Sequence, residues 1–453
     1  VIPVLTPEEM AAVDRAAPEP VELLIERAGA AVAQAALDLL GGAYARRVVV
    51  IAGKGNNGAD GRAAAGRLRR RGVRVEVLDA AALPAALPLC DLVVDAAYGT
   101  GFRGEHHPPP PPPGTPVLAV DIPSGVSGLT GVAGGEPLNA TRTVTFAALK
   151  PGLLLGDGPA LAGEVTVADI GLDVSGARTH VVEPVDVARW LPARPRHAHK
   201  WDAACTVVAG SPGMAGAGHL ATRAAQRAGA GYVRLGSPGV DDDPDRPTEA
   251  VGLALPATGW AERVLDGLDR FAAVAVGPGL GTAEDTATEV RRLVTAAPVP
   301  VVVDGDGLTA LGRDAAAVIA GRREATVLTP HDGELARLGA AAEDPDRIAV
   351  TREVAARTGA IVLRKGPTTV VASPDGEVLL TTSGDARLAT AGTGDVLTGA
   401  VVALLAQGVP AFEAAAGAAH LHGRAGAHGR RYGLVAGDVI DHLPAALAEL
   451  PET

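Results

Sequence analysis

The chain has 453 residues, enough for two or three domains. Hydrophobic residues make up 47% and aromatics only 2%, so the cores must be built from Ala, Val and Leu, while 58 glycines and 35 prolines imply many tight turns. The formal charge of −12 argues against a broad nucleic-acid-binding face, and Cys90 and Cys205, far apart, make neither a disulfide framework nor a metal cluster. No apolar stretch of membrane-spanning length is free of glycines and charges, and no basic-then-apolar leader opens the sequence. A soluble, cytoplasmic protein of a reducing compartment is expected, with no nucleic-acid or membrane partner.

Thr6-Pro7-Glu8-Glu9 is a capping pattern and predicts a helix to about Ala17. A second helix covers 21–40. The β-branched run Val48–Ala52 predicts a buried strand, and the glycine loop Gly53–Gly61 follows it. A helix to about Arg71 and a strand over 73–78 complete a strand, loop, helix, strand unit, the layout that binds phosphates or dinucleotides. The loop departs from the usual dinucleotide fingerprint: it carries Asn56 and Asn57, whose amides can bind a cation through oxygen or a ligand through N–H. Two further strands end alike, one in Asp95 with Gly99-Thr100-Gly101, the other in Asp121-Ile122-Pro123-Ser124-Gly125. One Asp at a strand end reads as a turn residue. Three polar strand ends in one domain point to a site, because ligands bind at that edge of a parallel sheet. His106-His107 has no third ligand at metal spacing, and with prolines 108–113 predicts a stiff surface connection. Strands are expected over 143–146 and 163–167, with Lys150 between them as a candidate phosphate contact.

The Pro- and Arg-rich stretch from Pro184 to His199 reads as the junction, with domains 1–190 and 191–453. Trp190 and Trp201 flank it as packing residues. Strands are expected over 205–209, 231–235, 272–276, 299–303, 326–328 and 361–364. They enter the loops Gly210–Gly218, Gly277–Gly281, Asp304–Gly307, Thr329–Glu334 and Lys365–Thr369 in an α/β arrangement. Asp304 and Glu334 are candidates for Mg²⁺ through water. Arg387 is a candidate partner for Asp385 or for an anion, and His331 a helix-start residue. Ala389–Gly394 is a run of small residues, followed by Asp395 and an apolar helix. Backbone N–H groups and a helix N-terminus would converge there on a phosphate, and Asp395 would accept a proton from a hydroxyl attacking a phosphoryl group. The plainer alternative is a helix cap.

With these motifs the chain resembles the bifunctional NAD(P)H-hydrate repair enzymes over nearly its whole length. They are Asn56–Gly61, Asp95 with Gly99-Thr100-Gly101, Asp121–Gly125, Gly277–Gly281, Thr329-Pro330-His331, Lys365-Gly366 and Ala391–Asp395. The resemblance implies a Rossmann-like α/β/α epimerase domain followed by a ribokinase-like α/β dehydratase domain. In the first, Asn56, Asn57, Gly58, Ala59 and Asp60 with Gly99, Thr100, Gly101, Phe102, Arg103, Gly104 and Glu105 would bind NADHX or NADPHX. Asn57, Asp95 and Ser124 would hold K⁺, and Asp121 would be the acid–base group. In the second, Ala217, Gly279 and His331 would contact the hydrate. Lys365, Gly366, Pro367, Thr368, Thr369 and Gly394 would contact the nucleotide, and Asp395 would be the base, with Mg²⁺. The bacterial-looking fusion implies ADP as phosphoryl donor, yielding AMP and phosphate. A homo-oligomer is expected from the Ala-rich apolar helices.

Four departures from the family pattern stand out. Ala59 replaces a glycine, Asp385 and Arg387 in Gly384–Ala389 stand where the family usually has Asn and Gly, Gly305 replaces an alanine, and Trp201–Ala204 replaces a glycine-containing turn. Two other readings compete. A small-molecule kinase of the ribokinase-like superfamily, acting on a vitamin-precursor alcohol, would use Asp395 equally well but would not need the first domain. A non-enzymatic nucleotide-binding scaffold would not need Asp121 and Asp395 so placed.

Overall fold

The computed structural model describes residues 1–240 and 242–452. Two compact units divide it, Ile2–Thr179 and, with Val1, His180 onward. The division leaves the helix Pro184–Trp190 in the second unit, whose core Val187 and Trp190 join, although the boundary expected at 190 assigns it to the first.

In the first unit β1 (Ile2–Val4) precedes two helices. Pro7–Ala16 starts on the expected capping box of Thr6 and Glu9, and Val21–Leu40 ends on the left-handed Gly41. Six strands follow: β2 (Arg47–Ala52), β3 (Arg74–Asp79), β4 (Leu92–Ala96), β5 (Val117–Val120), β6 (Arg142–Phe146) and β7 (Glu164–Ala168). They form a parallel sheet in the order β3-β2-β4-β5-β6-β7. The order reverses at β2, so a crevice opens beyond the ends of β2 and β4. Register aligns those ends: Ile51 lies beside Asp95, and Asp95 beside Ala119. The loops after Ala52, Ala96 and Val120 therefore emerge side by side. Gly61 lets the helix Asn56–Arg70 lie close on this sheet, since a methyl there would meet Ala96 Cβ at 2.5 Å.

After β8 (Thr179–Val181), the second unit contributes β9 (Ala204–Val208), β10 (Tyr232–Pro238), β11 (Val251–Leu255), β12 (Ala273–Val276), β13 (Val301–Val303), β14 (Thr326–Leu328), β15 (Ile361–Arg364), β16 (Thr369–Ala372) and β17 (Val378–Thr381). The last nine stand in the order β17-β16-β15-β14-β13-β12-β9-β10-β11. They are parallel from β11 to β15 and antiparallel at β15–β16–β17. Here the order reverses at β9, beside β12. Three of these nine strands lie outside the expected set. β11 is an edge strand with four exposed or half-exposed leading residues, and β16 and β17 are a hairpin about the Asp375-Gly376 turn. Thr369, expected in a loop, opens β16. The core is built of Ala, Val and Leu, as composition requires. Its centre is the helix Thr393–Ala406, buried on nearly every residue. Gly399 brings it against the helix Ala215–Arg227, where a methyl would sit 2.1 Å from Ala221 O.

Candidate active sites

The first unit holds a cavity of about 850 Å³ at the β2–β4 crevice, lined by Asn56, Asn57, Asp60, Gly99 to Arg103 and Asp121, with Asp14 and Lys150 in its wall. Gly58, Ala59, Gly104 and Glu105 are not part of that lining. Ala59 falls inside a regular helix, its N–H bonded to Gly55 O at 3.1 Å, so its methyl introduces no left-handed strain. Asp121 is itself left-handed, at φ +67, a conformation that costs a non-glycine residue energy and that must be held by its surroundings. Its Oδ1 meets Lys150 Nζ at 2.7 Å and accepts from Thr145 Oγ1 at 3.1 Å. Lys150 is thus buried on a carboxylate rather than reaching out toward a phosphate. Asp60 forms no ion pair among the described residues. Burial, then the charges of Asp121 and Asp14, push its carboxyl up to about 8. Burial also raises Asp14, against the pull of Lys150.

Asp95 and Ser124 are not part of the cavity lining. Asp95 is 1% exposed, and its Oδ2 accepts from Ser124 N at 2.9 Å. Ser124 Oγ accepts from Tyr98 N and donates to Tyr98 O. Both polar atoms of the Asn57 side chain are buried without a hydrogen-bond partner. A buried amide oxygen without a partner is costly and is a donor that a cation could use. The expected surface connection starts differently from the sequence reading. His106 turns inward, edge-on to Tyr98 at 5.1 Å, while none of prolines 108–113 is buried.

In the second unit the loops after β9 and β12 are stitched together. Gly210 N donates to Pro278 O at 2.8 Å and Ser211 Oγ to Gly279 O at 2.9 Å. A methyl on Gly279 would lie 3.0 Å from Ala217 Cβ, so these two expected contacts adjoin. Asp304, 2% exposed, ends β13. Its Oδ1 accepts from Lys365 Nζ at 2.8 Å and its Oδ2 from Thr398 Oγ1 at 2.8 Å. Lys365 also meets Glu334 Oε2 at 3.5 Å. Burial works against this ammonium, but Asp304 and Glu334 outweigh it and hold its pKa above the ordinary value. Asp304 and Glu334, expected to hold Mg²⁺ through water, therefore already face a cationic side chain. Gly394 lies beside the pair: a methyl there would be 3.5 Å from Lys365 Nζ and 3.8 Å from Asp304 Oδ2. Asp395 stands in the first turn of the buried helix, as expected, after the left-handed Gly392. Burial and then the charge of Asp304 push its carboxyl up to about 7, with Lys365 pulling the other way.

His331 caps the helix Asp332–Arg337, accepting from Gly333 N and Glu334 N, while its ring remains exposed. The Lys365–Thr368 turn is fixed from behind by Arg347, which donates to Lys365 O at 2.9 Å and to Asp332. Gly366 leaves room for that guanidinium, since a methyl would be 2.6 Å from it. Arg387 chelates Asp385 and donates to Ala427 O and Gly429 O, a structural clasp rather than an anion contact. Gly305 takes φ +57, a conformation that favours glycine. Trp201 stacks on Tyr232 at 4.4 Å, the packing role expected. The sequence reading passes over Asp14, Thr145 and Thr398. Thr398 had a signal, since it lies three residues, about one helical turn, after Asp395.

Fold and sites together define a two-domain α/β protein, Rossmann-like and then ribokinase-like. A family model described as NAD(P)H-hydrate dehydratase matches residues 205–443, and one described as YjeF-related protein N-terminus matches 21–86 and 79–152. The chain is similar to bifunctional NAD(P)H-hydrate repair enzymes from Moorella thermoacetica (37% identical, over 99% of this chain and 97% of that one) and Salinibacter ruber (36%, 99% and 96%). Its second unit resembles the ADP/ATP-dependent NAD(P)H-hydrate dehydratase of Bacillus subtilis co-crystallized with ATP/Mg²⁺. That match is 28% identical with TM-score 0.52, over 59% of this chain and 98% of that one. A ribokinase-like superfamily protein from Enterococcus faecalis V583 shares the fold at 22% identity and TM-score 0.54, over 61% of this chain and 97% of that one. The chain belongs to the family of bifunctional NAD(P)H-hydrate repair enzymes.

Proposed function

We propose that the chain repairs hydrated NADH and NADPH, with the first unit interconverting the R and S hydrates and the second dehydrating the S form at the expense of ADP. The observation that carries this reading is the pair of acidic sites, Asp121 at one sheet edge and Asp395 at the other, in a chain alike in sequence to such enzymes from end to end.

The cavity of the first unit would take the hydrated nicotinamide ring, with Asn56, Asp60 and Gly99 to Arg103 as contacts. The C6 hydroxyl is expelled by the adjacent ring nitrogen, leaving an iminium that water re-attacks on either face. Asp121 moves the proton in both directions. Asn57, Asp95 and Ser124 would hold K⁺, whose charge would offset that of the buried Asp95 and fix the loops around the substrate.

In the second unit Asp395 takes the proton of the C6 hydroxyl, whose oxygen attacks the terminal phosphoryl group of ADP. AMP leaves; the ring nitrogen then expels phosphate from C6, and loss of a proton from C5 to water restores the C5–C6 double bond of the dihydronicotinamide. A base near neutrality suits this step. Lys365, Gly394 and the helix N-terminus, which presents unpaired N–H groups, would stabilise the charge that develops on the phosphates. Mg²⁺, when bound, would neutralise phosphate charge, and Ala217, Gly279 and His331 would contact the hydrate.

The test is product analysis of the purified chain given mixed hydrates, K⁺, Mg²⁺ and ADP. Recovery of the dihydronicotinamide absorbance with release of AMP and phosphate is expected. A stable phosphorylated alcohol in its place would identify a kinase and sink the reading.

A further inference from the structure

We propose that Lys150 is a positioning residue for epimerisation, a buried ammonium that pairs with the Asp121 carboxylate and fixes its orientation. The inference rests on the reading of the first unit as an epimerase.

Lys150 is 1% exposed. Its Nζ lies 2.7 Å from Asp121 Oδ1, 2.8 Å from Thr145 Oγ1, 2.9 Å from Phe146 O and 3.1 Å from Ala148 O. An ammonium has three protons, so this cage uses all of them and leaves none for a substrate phosphate. Thr145 Oγ1 relays the same grip, accepting from Lys150 and donating to Asp121 Oδ1. One carboxylate oxygen is thus held by an ion pair and a hydrogen bond. The other, Oδ2, lies on the side of the substrate loop, 3.6 Å from where a methyl on Gly99 would be. The left-handed backbone at Asp121 needs such an anchor to persist.

The charges around Asp121 make the assignment selective. Asp14 and Asp60 face it from the two flanking helices, and Glu19, Lys54, Asp79 and Arg103 line the same cavity. Lys150 makes its ion pair with Asp121 and not with Asp14 or Asp60. Asp60, without such a partner, is pushed up to about 8 and carries a proton at neutral pH. One group able to take a proton and one able to give it then share the cavity.

The experiment measures R-to-S conversion by chromatography on the full chain, without ADP, for the wild type and for K150M, D121N and D121N/K150M. Without the ammonium, Asp121 holds its proton more tightly. K150M should therefore lose about 100-fold in kcat with little change in KM, and the acidic limb of its pH profile should move to higher pH. If Lys150 acts through Asp121, the double variant is no slower than D121N. Activity of K150M within about twofold of wild type, or a further loss of similar size in the D121N background, overturns the proposal. Should K150M lose its thermal unfolding transition, T145V is read instead. It removes one donor from Oδ1, and about a tenfold loss with the same upward movement of the limb is expected. An unmoved limb overturns the proposal. A wild-type chain that does not exceed the spontaneous conversion rate overturns the epimerase reading itself, before any variant is compared.

Discussion

The two sites share a device and use it in opposite senses. Each places one aspartate on a lysine at the ligand edge of a parallel sheet: Asp121 with the buried Lys150 at 2.7 Å, and Asp304 with the partly buried Lys365 at 2.8 Å. Each leaves a second aspartate without an ion pair among the described residues, Asp60 pushed up to about 8 and Asp395 to about 7. In the first unit the lysine-bound Asp121 is the proposed base. In the second the unpaired Asp395 is the proposed base, and the lysine-bound Asp304 lies beside Gly394. The difference follows from the chemistry asked of each. Expelling a hydroxyl beside a ring nitrogen needs a fixed carboxylate with a proton source nearby. Making a phosphate ester needs a base able to take an alcohol proton, beside positive charge.

The largest effect should separate the units. D395N is expected to cut dehydration by about 1000-fold and leave R-to-S conversion unchanged, each assayed on the full chain. Next comes the lysine of the second pair. K365M leaves Asp304 buried and unpaired, so the second unit should lose on the order of 3–5 kcal/mol, read from denaturant unfolding. The pH profile sharpens the contrast. As the proposed base Asp395 would act ionised, and its carboxyl is raised to about 7, so kcat/KM for dehydration should climb as pH rises through about 7. A smaller effect concerns Asp60. Its folded carboxyl is raised from 3.8 to about 8, so unfolding releases a proton between those values and stability falls as pH rises across that window. D60N lacks this loss and should melt a few degrees above wild type at pH ~9, with a smaller difference near pH ~5. The smallest is A59G. Ala59 is helical, so glycine should cost about 0.5–1 kcal/mol and leave epimerisation within about twofold.

Much of this was legible in the sequence. Strand ends carrying Asp95, Asp121 and Asp304 are readable because a β-branched run followed by Asp and Gly marks the edge of a parallel sheet. Asp395 is readable because small residues precede an apolar helix. The pairings are not readable in the same way. Asp304 and Lys365 are 61 residues apart and meet only because β13, β14 and β15 lie side by side. Lys150 comes back under Asp121 because Ala147 takes a left-handed φ of +61, which no residue type there announces. The hairpin of β16 and β17 hides in short apolar runs, and the helix Pro184–Trp190 sits in a Pro-rich stretch that reads as linker. Its place in the second core is set by Val187 and Trp190.

The most direct measurement follows the dihydronicotinamide absorbance to completion when the full chain receives mixed R and S hydrates with K⁺, Mg²⁺ and ADP, beside D121N and D395N. The account predicts full recovery for the wild type, fast recovery of the S share alone for D121N, and none for D395N. Full, fast recovery by D121N, or recovery by D395N at the wild-type rate, would contradict it.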